Sequence, residues 1–209
     1  MPTSAQSGAI IGLTVSGYKS IRDEQSIEIA PLTILAGANS SGKSSMIQPL
    51  LLLKQTLEAT YDPGPLLLDG PNVRFSHASQ LFFSGKGRHG KSIRVAFPGD
   101  EDEIGLTFEK GEKQGITLAK LDYRKGKARI TLNPNMSSDE IRVAVADFIQ
   151  ATLSGTAESG PFYQGQWQIV RNRCYLEARS EFSSFKFTAG DIQSVIHLPG
   201  LRGNPLRTY

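Results

Sequence analysis

Apolar and polar positions near the amino terminus predict two short strands followed by a buried one. Residues 10–15 are β-prone, and residues 26–29 alternate between polar and apolar side chains. After Pro31, the run 32–36 is mostly apolar and ends at Gly37, which is typical of a strand buried on both faces. We therefore expect residues 32–36 to form the central strand of a sheet.

The pattern changes to helical spacing directly after this run. From Gly42 to about Glu58, apolar residues recur every three or four positions, as they do on one face of a helix. The turn-forming residues 61–65 end the pattern, and Pro49 in the second turn is expected to kink the helix. The sequence therefore predicts a strand, a short loop and a helix that follow one another directly.

A β-rich region, residues 91–133, is predicted to form an antiparallel meander. Its β-prone runs are separated by turn residues such as Pro98-Gly99-Asp100, and they are residues 92–97, 104–108, 116–123 and 128–132. Ser137 and Glu140 then have the spacing of a capping box, which predicts a helix over residues 137–153. Residues 168–176 are interpreted as one further strand.

The composition of the chain restricts the class of protein and its expected location, but it does not indicate a function. The chain has 209 residues, 39% hydrophobic and 21% charged, as in an ordinary globular domain. Its single cysteine, Cys174, forms no disulfide framework within one chain and has no metal-ligand spacing with His77, His89 or His197. Because neither a signal peptide nor a long apolar stretch occurs, we expect a cytoplasmic protein with no membrane partner. Residues 1–9 are expected to form a flexible tail.

The segment 37–44 carries the clearest chemistry. It satisfies the pattern G-x-x-x-x-G-K-[ST] at every fixed position and lies between an apolar run and an amphipathic helix. Glycines let successive N–H groups point at phosphate oxygens, and the helix start adds partial positive charge. Lys43 is predicted to contact the β and γ phosphates of ATP, and the Ser44 hydroxyl to ligate Mg²⁺. The predicted ATP-binding residues are Gly37, Ala38, Asn39, Ser40, Ser41, Gly42, Lys43, Ser44 and Ser45.

Residues 17–23, Gly-Tyr-Lys-Ser-Ile-Arg-Asp, together with residues 31–45, resemble the amino-terminal signature of the RecF/SMC-like group of ABC-type ATPases. The resemblance is closest to the prokaryotic OLD-related "AAA family ATPase" group. An asparagine at the position of Asn39 in the loop is typical of that group, and residues 198–205 also resemble one of its segments. It implies an α/β P-loop NTPase fold, the amino-terminal lobe of an ABC-type head over residues 10–209, with the antiparallel β-meander as a subdomain. In that lobe the loop and first helix occupy residues 32–60.

The resemblance also implies how the activity is completed. Such heads dimerise around two ATP molecules and serve DNA or RNA processing, repair or defence against phage. A signature segment from the opposite protomer and a Walker B carboxylate pair complete each site, and these normally lie in a carboxyl-terminal half. We therefore expect hydrolysis only when such a carboxyl-terminal half completes the chain. As partners we expect a second copy of the chain, in a homodimer, or that carboxyl-terminal half. The alternative is a non-catalytic nucleotide-binding or partner-docking subunit, or a truncated fragment.

Three segments imitate the missing motifs. Asp69 ends an apolar run that is flanked by Gly-Pro pairs, so we interpret it as part of a loop. Asp147 follows helical spacing, which argues against a position at the end of a strand. Leu153-Ser154-Gly155 is interpreted as the end of a helix rather than the opening of an ABC signature.

Other candidates depend on the resemblance for their roles. Gln80 follows the loop helix where ABC-type heads carry a glutamine that touches Mg²⁺ and the attacking water, although Gln80 fits an amphipathic surface segment equally well. Lys43 and Gln80 are thus the predicted catalytic residues, and Ser44 and Gln80 the predicted Mg²⁺ ligands. Lys19 and Arg22 are candidates for contact with the adenine or the α-phosphate, or else are solvated charges.

A basic stretch raises the question of nucleic acid. Residues 84–130 contain eleven Lys or Arg against seven Asp or Glu, and Lys86, Arg88 and Lys91 cluster among glycines. Such a patch can bind a nucleic-acid backbone through counterion release, or it can be an ordinary hairpin tip. The formal net charge of +3 permits either interpretation.

Overall fold

Among the residues that the structure describes, the regular structure is mainly antiparallel strands and two α-helices. The computed structural model describes residues 10–39, 41–85, 87–112, 115–152, 165–189 and 192–198, and of Arg88 only the backbone. The strands are β1 (Gly12–Ser16), β2 (Gln25–Glu28), β3 (Ser84–Gly85), β4 (Arg88–His89), β5 (Ser92–Pro98), β6 (Asp102–Lys110), β7 (Ile116–Lys125), β8 (Ala128–Leu132), β9 (Gln168–Asn172), β10 (Tyr175–Arg179) and β11 (Ser184–Lys186). The helices are α1 (Lys43–Glu58) and α2 (Ser138–Thr152).

The main sheet contains the predicted meander. Within the described residues it has six strands in the order β2-β1-β5-β6-β7-β8, and each neighbouring pair is antiparallel. Strand β8 shows why the sequence folds this way, because Ala128, Ile130 and Leu132 are buried while Arg129 and Thr131 are exposed. This strict alternation places one face of the sheet on the core and the other in water.

Both helices bury their apolar sides against this sheet and the segments around it. In α2 the buried residues are Ile141, Val145 and Phe148, at the spacing of one helix face. The predicted capping box is confirmed, since Ser137 N donates to Glu140 Oε2 (2.7 Å) and Glu140 N donates to Ser137 Oγ (3.3 Å). The bond from the Ser137 amide lowers the pKa of the Glu140 carboxyl.

The expected central strand at residues 32–36 is wrong. These residues belong to no strand, and the side chains of Leu32 and Ile34 are 79% and 77% exposed. An apolar run becomes a central strand only when strands on both sides accept its backbone hydrogen bonds, and none of the described strands lies beside it. The run is therefore a connection without regular secondary structure that leads from β2 to the loop.

The single strand expected over residues 168–176 is also wrong. The chain reverses there, so that β9 and β10 form a hairpin in which Asn172 pairs with Tyr175. Arg173 occupies the turn with φ of +53°, a conformation that non-glycine residues adopt rarely. Because the turn contains neither glycine nor proline, the composition of this segment gave no sign of it.

Several sequence predictions fall outside the described part of the chain. They include the tail at residues 1–9, Ser40 of the loop, Lys86 of the basic stretch, the signature-like Leu153-Ser154-Gly155, and all of residues 198–205 except Leu198. Among the described residues, no helix has both the length and the apolar character needed to cross a bilayer. The cytoplasmic location stays a prediction.

Candidate nucleotide-binding site

The segment between residues 37 and 42 turns the chain sharply into α1. Ser41 N donates to the carbonyl of Ala38 (3.2 Å), which closes the turn. Gly42 precedes the helix with φ of +93°, in the left-handed region that favours glycine. The first intrahelical bond runs from Met46 N to Gly42 O (3.0 Å), so the helix begins directly at the end of the loop.

Lys43 folds back over this loop. Its Nζ donates to the carbonyl oxygens of Gly37 and Ala38, each at 2.7 Å, and lies 3.4 Å from Ser41 Oγ. These described acceptors are neutral, so none of them is a carboxylate that pairs with the ammonium group. An anion that enters the loop can therefore bind Lys43 without first breaking an ion pair.

The amino terminus of α1 leaves its donors open. Among the described residues no side chain caps the helix start, and no acidic residue occupies the first turn. The amides of Lys43, Ser44 and Ser45 precede the first intrahelical bond, so they have no acceptor within the helix. Together with the positive end of the helix dipole they form a set of donors suited to phosphate oxygens. The exposed Ser44 hydroxyl lies at the same point.

A cleft of about 660 Å³ opens beside the loop, a volume in the range of small-molecule sites. It lies between two parts of the chain: residues 20–27, which link β1 to β2 and enter β2, and residues 34–46, which lead through the loop into α1. They are Ser20, Ile21, Arg22, Asp23, Gln25, Ser26, Ile27, Ile34, Leu35, Ala36, Ser41, Gly42, Lys43 and Met46. Sequence reasoning missed the contribution of Ser20, Gln25 and Met46, of which only Ser20 lies within the segments that carried the resemblance.

The structure separates the two basic candidates of the first hairpin. Arg22 lines the cleft, and its side chain is 54% exposed. Lys19 points away from the cleft, because its Nζ donates to Gln48 Oε1 on α1 (2.8 Å) and lies over the Phe75 ring at 4.5 Å from the centroid. Burial lowers the pKa of Lys19. Of the two, Arg22 is therefore the one positioned to meet a ligand beside Lys43.

Gln80 does not line this cleft. It ends a short 3₁₀ helix, Ala78–Gln80, and its Oε1 accepts a hydrogen bond from Ser76 N (3.0 Å). Its predicted contact with Mg²⁺ stays a prediction. Ser40 lies outside the described residues.

The carboxylates that imitate a Walker B motif lie away from the cleft. Asp69 is in a loop, with its side chain 81% exposed and 3.7 Å from Arg74 Nε. Asp147 is on α2, as its helical spacing predicted. Two of the histidines have hydrogen-bond partners, with His89 Nδ1 3.3 Å from Ser84 Oγ and His197 Nδ1 3.2 Å from Asn72 Oδ1.

The far end of α1 is anchored by the β9–β10 hairpin. Arg173 donates from its guanidinium to the carbonyls of Leu57 and Ala59, where the last turn lacks internal donors. Arg171 binds Asp62 through two parallel bonds of 3.0 and 2.7 Å. The hydrogen bond from Arg171 lowers the pKa of the Asp62 carboxyl to about 2. The helix that presents the loop is thus fixed at its carboxyl end, a feature that sequence reasoning did not find.

Comparison with known proteins gives a weak structural likeness. A chain solved in work on the ATP-driven dimerization and DNA-stimulated activation of SMC ATPases matches with a TM-score of 0.37 and 23% identity, over 69% of this chain and 79% of that chain. No protein-family model matches the sequence, and no curated protein gives a significant match. A likeness at this level does not place the chain in a family.

Proposed function

We propose that this chain is the ATP-binding lobe of an ABC-type P-loop ATPase of the RecF/SMC-like group. The observation that carries the proposal is the position of Lys43, whose ammonium lies over the carbonyls of Gly37 and Ala38 at the start of α1. A cation and a set of open amides at one helix end form a binding site for a polyphosphate. The lobe would span residues 10–209.

The residues present fit both ATP and Mg²⁺. Phosphate oxygens would accept hydrogen bonds from the amides of residues 42–45, and Lys43 would neutralise the β and γ phosphates. The Ser44 hydroxyl, exposed at the helix start, would ligate Mg²⁺. Bound Mg²⁺ would add charge neutralisation between the phosphates. Arg22, across the cleft, is positioned to bind the remaining phosphate or the base.

Two features support the requirement for a second half. Among the described residues that line the cleft, Asp23 is the only carboxylate, and it is 83% exposed and 3.8 Å from Arg22 Nε rather than held towards the loop. Leu32 and Ile34 are exposed in the segment that leads into the loop, although both are apolar. A carboxyl-terminal half would cover this segment with neighbouring strands and would supply the Walker B and signature residues. We extend the proposal to dimerisation and to a cytoplasmic role in DNA or RNA processing, repair or phage defence.

Calorimetric titration with Mg·ATP tests the binding part. We expect the unaltered chain to bind, and Lys43→Ala to bind at least about tenfold more weakly because charge-assisted hydrogen bonds contribute about 1.5–3 kcal/mol. Lys127→Ala is the matched control, since Lys127 is an exposed lysine at the β7–β8 turn. Equal affinities for the unaltered chain and Lys43→Ala would contradict the proposal.

The alternative is a non-catalytic nucleotide-binding or partner-docking subunit, which the single exposed carboxylate of the cleft also favours. A hydrolysis assay on the 209-residue chain separates the cases. Turnover that Lys43→Ala abolishes would contradict the alternative, and it would equally contradict the requirement for a second half. Binding without turnover agrees with both, and turnover gained on adding the carboxyl-terminal half would then favour the ATPase.

A further inference from the structure

A second cleft lies on the other side of Arg22 from the nucleotide loop. It has a volume of about 460 Å³ and is lined by Arg22, His89 and Lys91, by Phe83, and by the backbone at Gly17 and Gly90. Arg22 lines this cleft and the first one, so the two are neighbours that share a cationic wall. The proposed nucleotide site does not use its other residues.

Backbone contacts between three chain segments build the floor of this cleft. Phe83 N donates to Gly17 O (2.7 Å), and Gly90 N donates to Phe83 O (2.8 Å). Gly17 has φ of +70° and lies so close to Ser92 that a Cβ would be 2.1 Å from the Ser92 carbonyl oxygen. The three segments therefore come together at a fixed separation, and the cleft is part of the fold rather than a gap between loose loops.

The charge of the cleft has one sign. None of the described residues that line it is Asp or Glu, whereas Arg22 and Lys91 are basic side chains and His89 offers a ring nitrogen. The only ion pair described for Arg22 is with Asp23, at 3.8 Å between side chains that are 54% and 83% exposed. An exposed pair of this length is screened by water and contributes little, so it leaves Arg22 available to an anion.

We propose that this cleft binds the sugar–phosphate backbone of a single nucleic-acid strand. Arg22 and Lys91 contact its phosphates, and the half-buried Phe83 supplies an apolar surface on which a base stacks. Basic side chains beside an aromatic ring are the combination by which proteins bind single strands without reading sequence. A concave space of this volume accepts a nucleotide unit rather than a duplex. The inference deepens the proposed function, on which it rests, by naming a partner and its position beside the nucleotide.

Fluorescence anisotropy with a labelled oligothymidylate, in the absence of nucleotide, tests this inference. We expect Lys91→Gln to lower the slope of log K against log salt by roughly 0.7, the value for one phosphate contact on a single strand. The same relation gives about an eightfold loss of affinity at 50 mM salt. Lys127→Gln is the matched control, because it removes one exposed lysine charge at the β7–β8 turn and is expected to change neither quantity.

Further arms of the experiment separate the sources of phosphate. A duplex of equal length is expected to bind more weakly than the single strand, and inorganic phosphate to compete only at concentrations at which it acts as ordinary salt. Equal effects of Lys91→Gln and Lys127→Gln would overturn the proposal, as would binding of free phosphate without binding of the strand. Calorimetry with Mg·ATP on Lys91→Gln keeps the two proposals distinguishable, since unchanged ATP affinity is expected whichever way the strand titration turns out.

Discussion

Gln55 joins the loop helix α1 to the chain that follows it, and its replacement gives a sharp prediction. The side chain is 1% exposed. Its Oε1 accepts hydrogen bonds from the amides of Asn72 (3.2 Å) and Val73 (3.0 Å), and its Nε2 donates to the carbonyls of Leu67 (2.6 Å) and Val73 (3.1 Å). Gln55→Leu changes the volume little but removes all four bonds. Three backbone groups then lose their partner in a site that admits little water, whereas the Val73 carbonyl keeps the hydrogen bond from Gly70 N (3.2 Å).

The magnitude follows from those four bonds. A hydrogen bond of this kind contributes about 1 kcal/mol net to stability, so the loss amounts to about 4 kcal/mol. The new leucine side chain regains part of this through apolar contact. We therefore expect Gln55→Leu to lower the free energy of unfolding by about 3 kcal/mol, measured by urea denaturation. Hydrogen exchange should show lost protection at the amides of Asn72 and Val73.

A surface glutamine provides the control. Gln168 is exposed on β9, and Gln168→Leu is expected to change stability by no more than about 0.5 kcal/mol. A loss below about 1 kcal/mol for Gln55→Leu, with the Asn72 and Val73 amides still protected, would refute the reasoning. It would mean that other contacts hold the loop.

Three further predictions concern stability and use the same urea assay. Gly17 and Gly126 have φ of +70° and +57°, but of these two positions only Gly17 would place an added methyl group against a backbone oxygen. We therefore expect Gly17→Ala to lower the free energy of unfolding by about 3 kcal/mol and Gly126→Ala by about 1 kcal/mol. Equal losses for the two variants would contradict this. The side chain of Ile34 is 77% exposed, so Ile34→Ala should change stability by less than about 0.5 kcal/mol. The side chain of Ile93 is 3% exposed, so Ile93→Ala should cost about 2–4 kcal/mol. A large effect of Ile34→Ala would indicate that residues 32–36 form a buried strand after all. The hydrogen bond from Arg171 lowers the pKa of Asp62 from 3.8 to about 2, so it stabilises the fold above pH 4 and is lost as the pH falls towards 2. The stability advantage of the unaltered chain over Asp62→Asn should therefore shrink between pH 4 and pH 2. A stability difference that does not depend on pH would argue against the pair.

Local rules predicted much of the fold. The box formed by Ser137 and Glu140 is a short-range interaction, so its two residues are sufficient to predict the start of α2. The alternation in β8 likewise states which face is buried, whatever covers it. The start of α1 follows from Gly42 and its loop for the same reason. In each case the deciding contacts lie within a few residues along the chain.

The features that the sequence analysis missed depend on contacts between residues that are distant along the chain. Leu32 and Ile34 have the composition of a buried strand, but burial depends on neighbours that the described chain does not place beside them. Lys19 resembles a nucleotide contact, yet it binds Gln48, whose side chain faces it only once α1 packs on β1. The role of Gln55 depends in the same way on a loop far along the chain. No periodicity or motif carries such information.

The central claim is that the amides at the start of α1 and the ammonium of Lys43 together bind the triphosphate of ATP. Backbone amide chemical shifts of the isotopically labelled chain, followed during titration with Mg·ATP, test it most directly. We predict that residues 42–45 shift most, that the shifts saturate, and that Lys43→Ala reaches half of the shift only at an Mg·ATP concentration at least about tenfold higher. Unchanged resonances at residues 42–45, or half-saturation at the same concentration in Lys43→Ala, would contradict the claim.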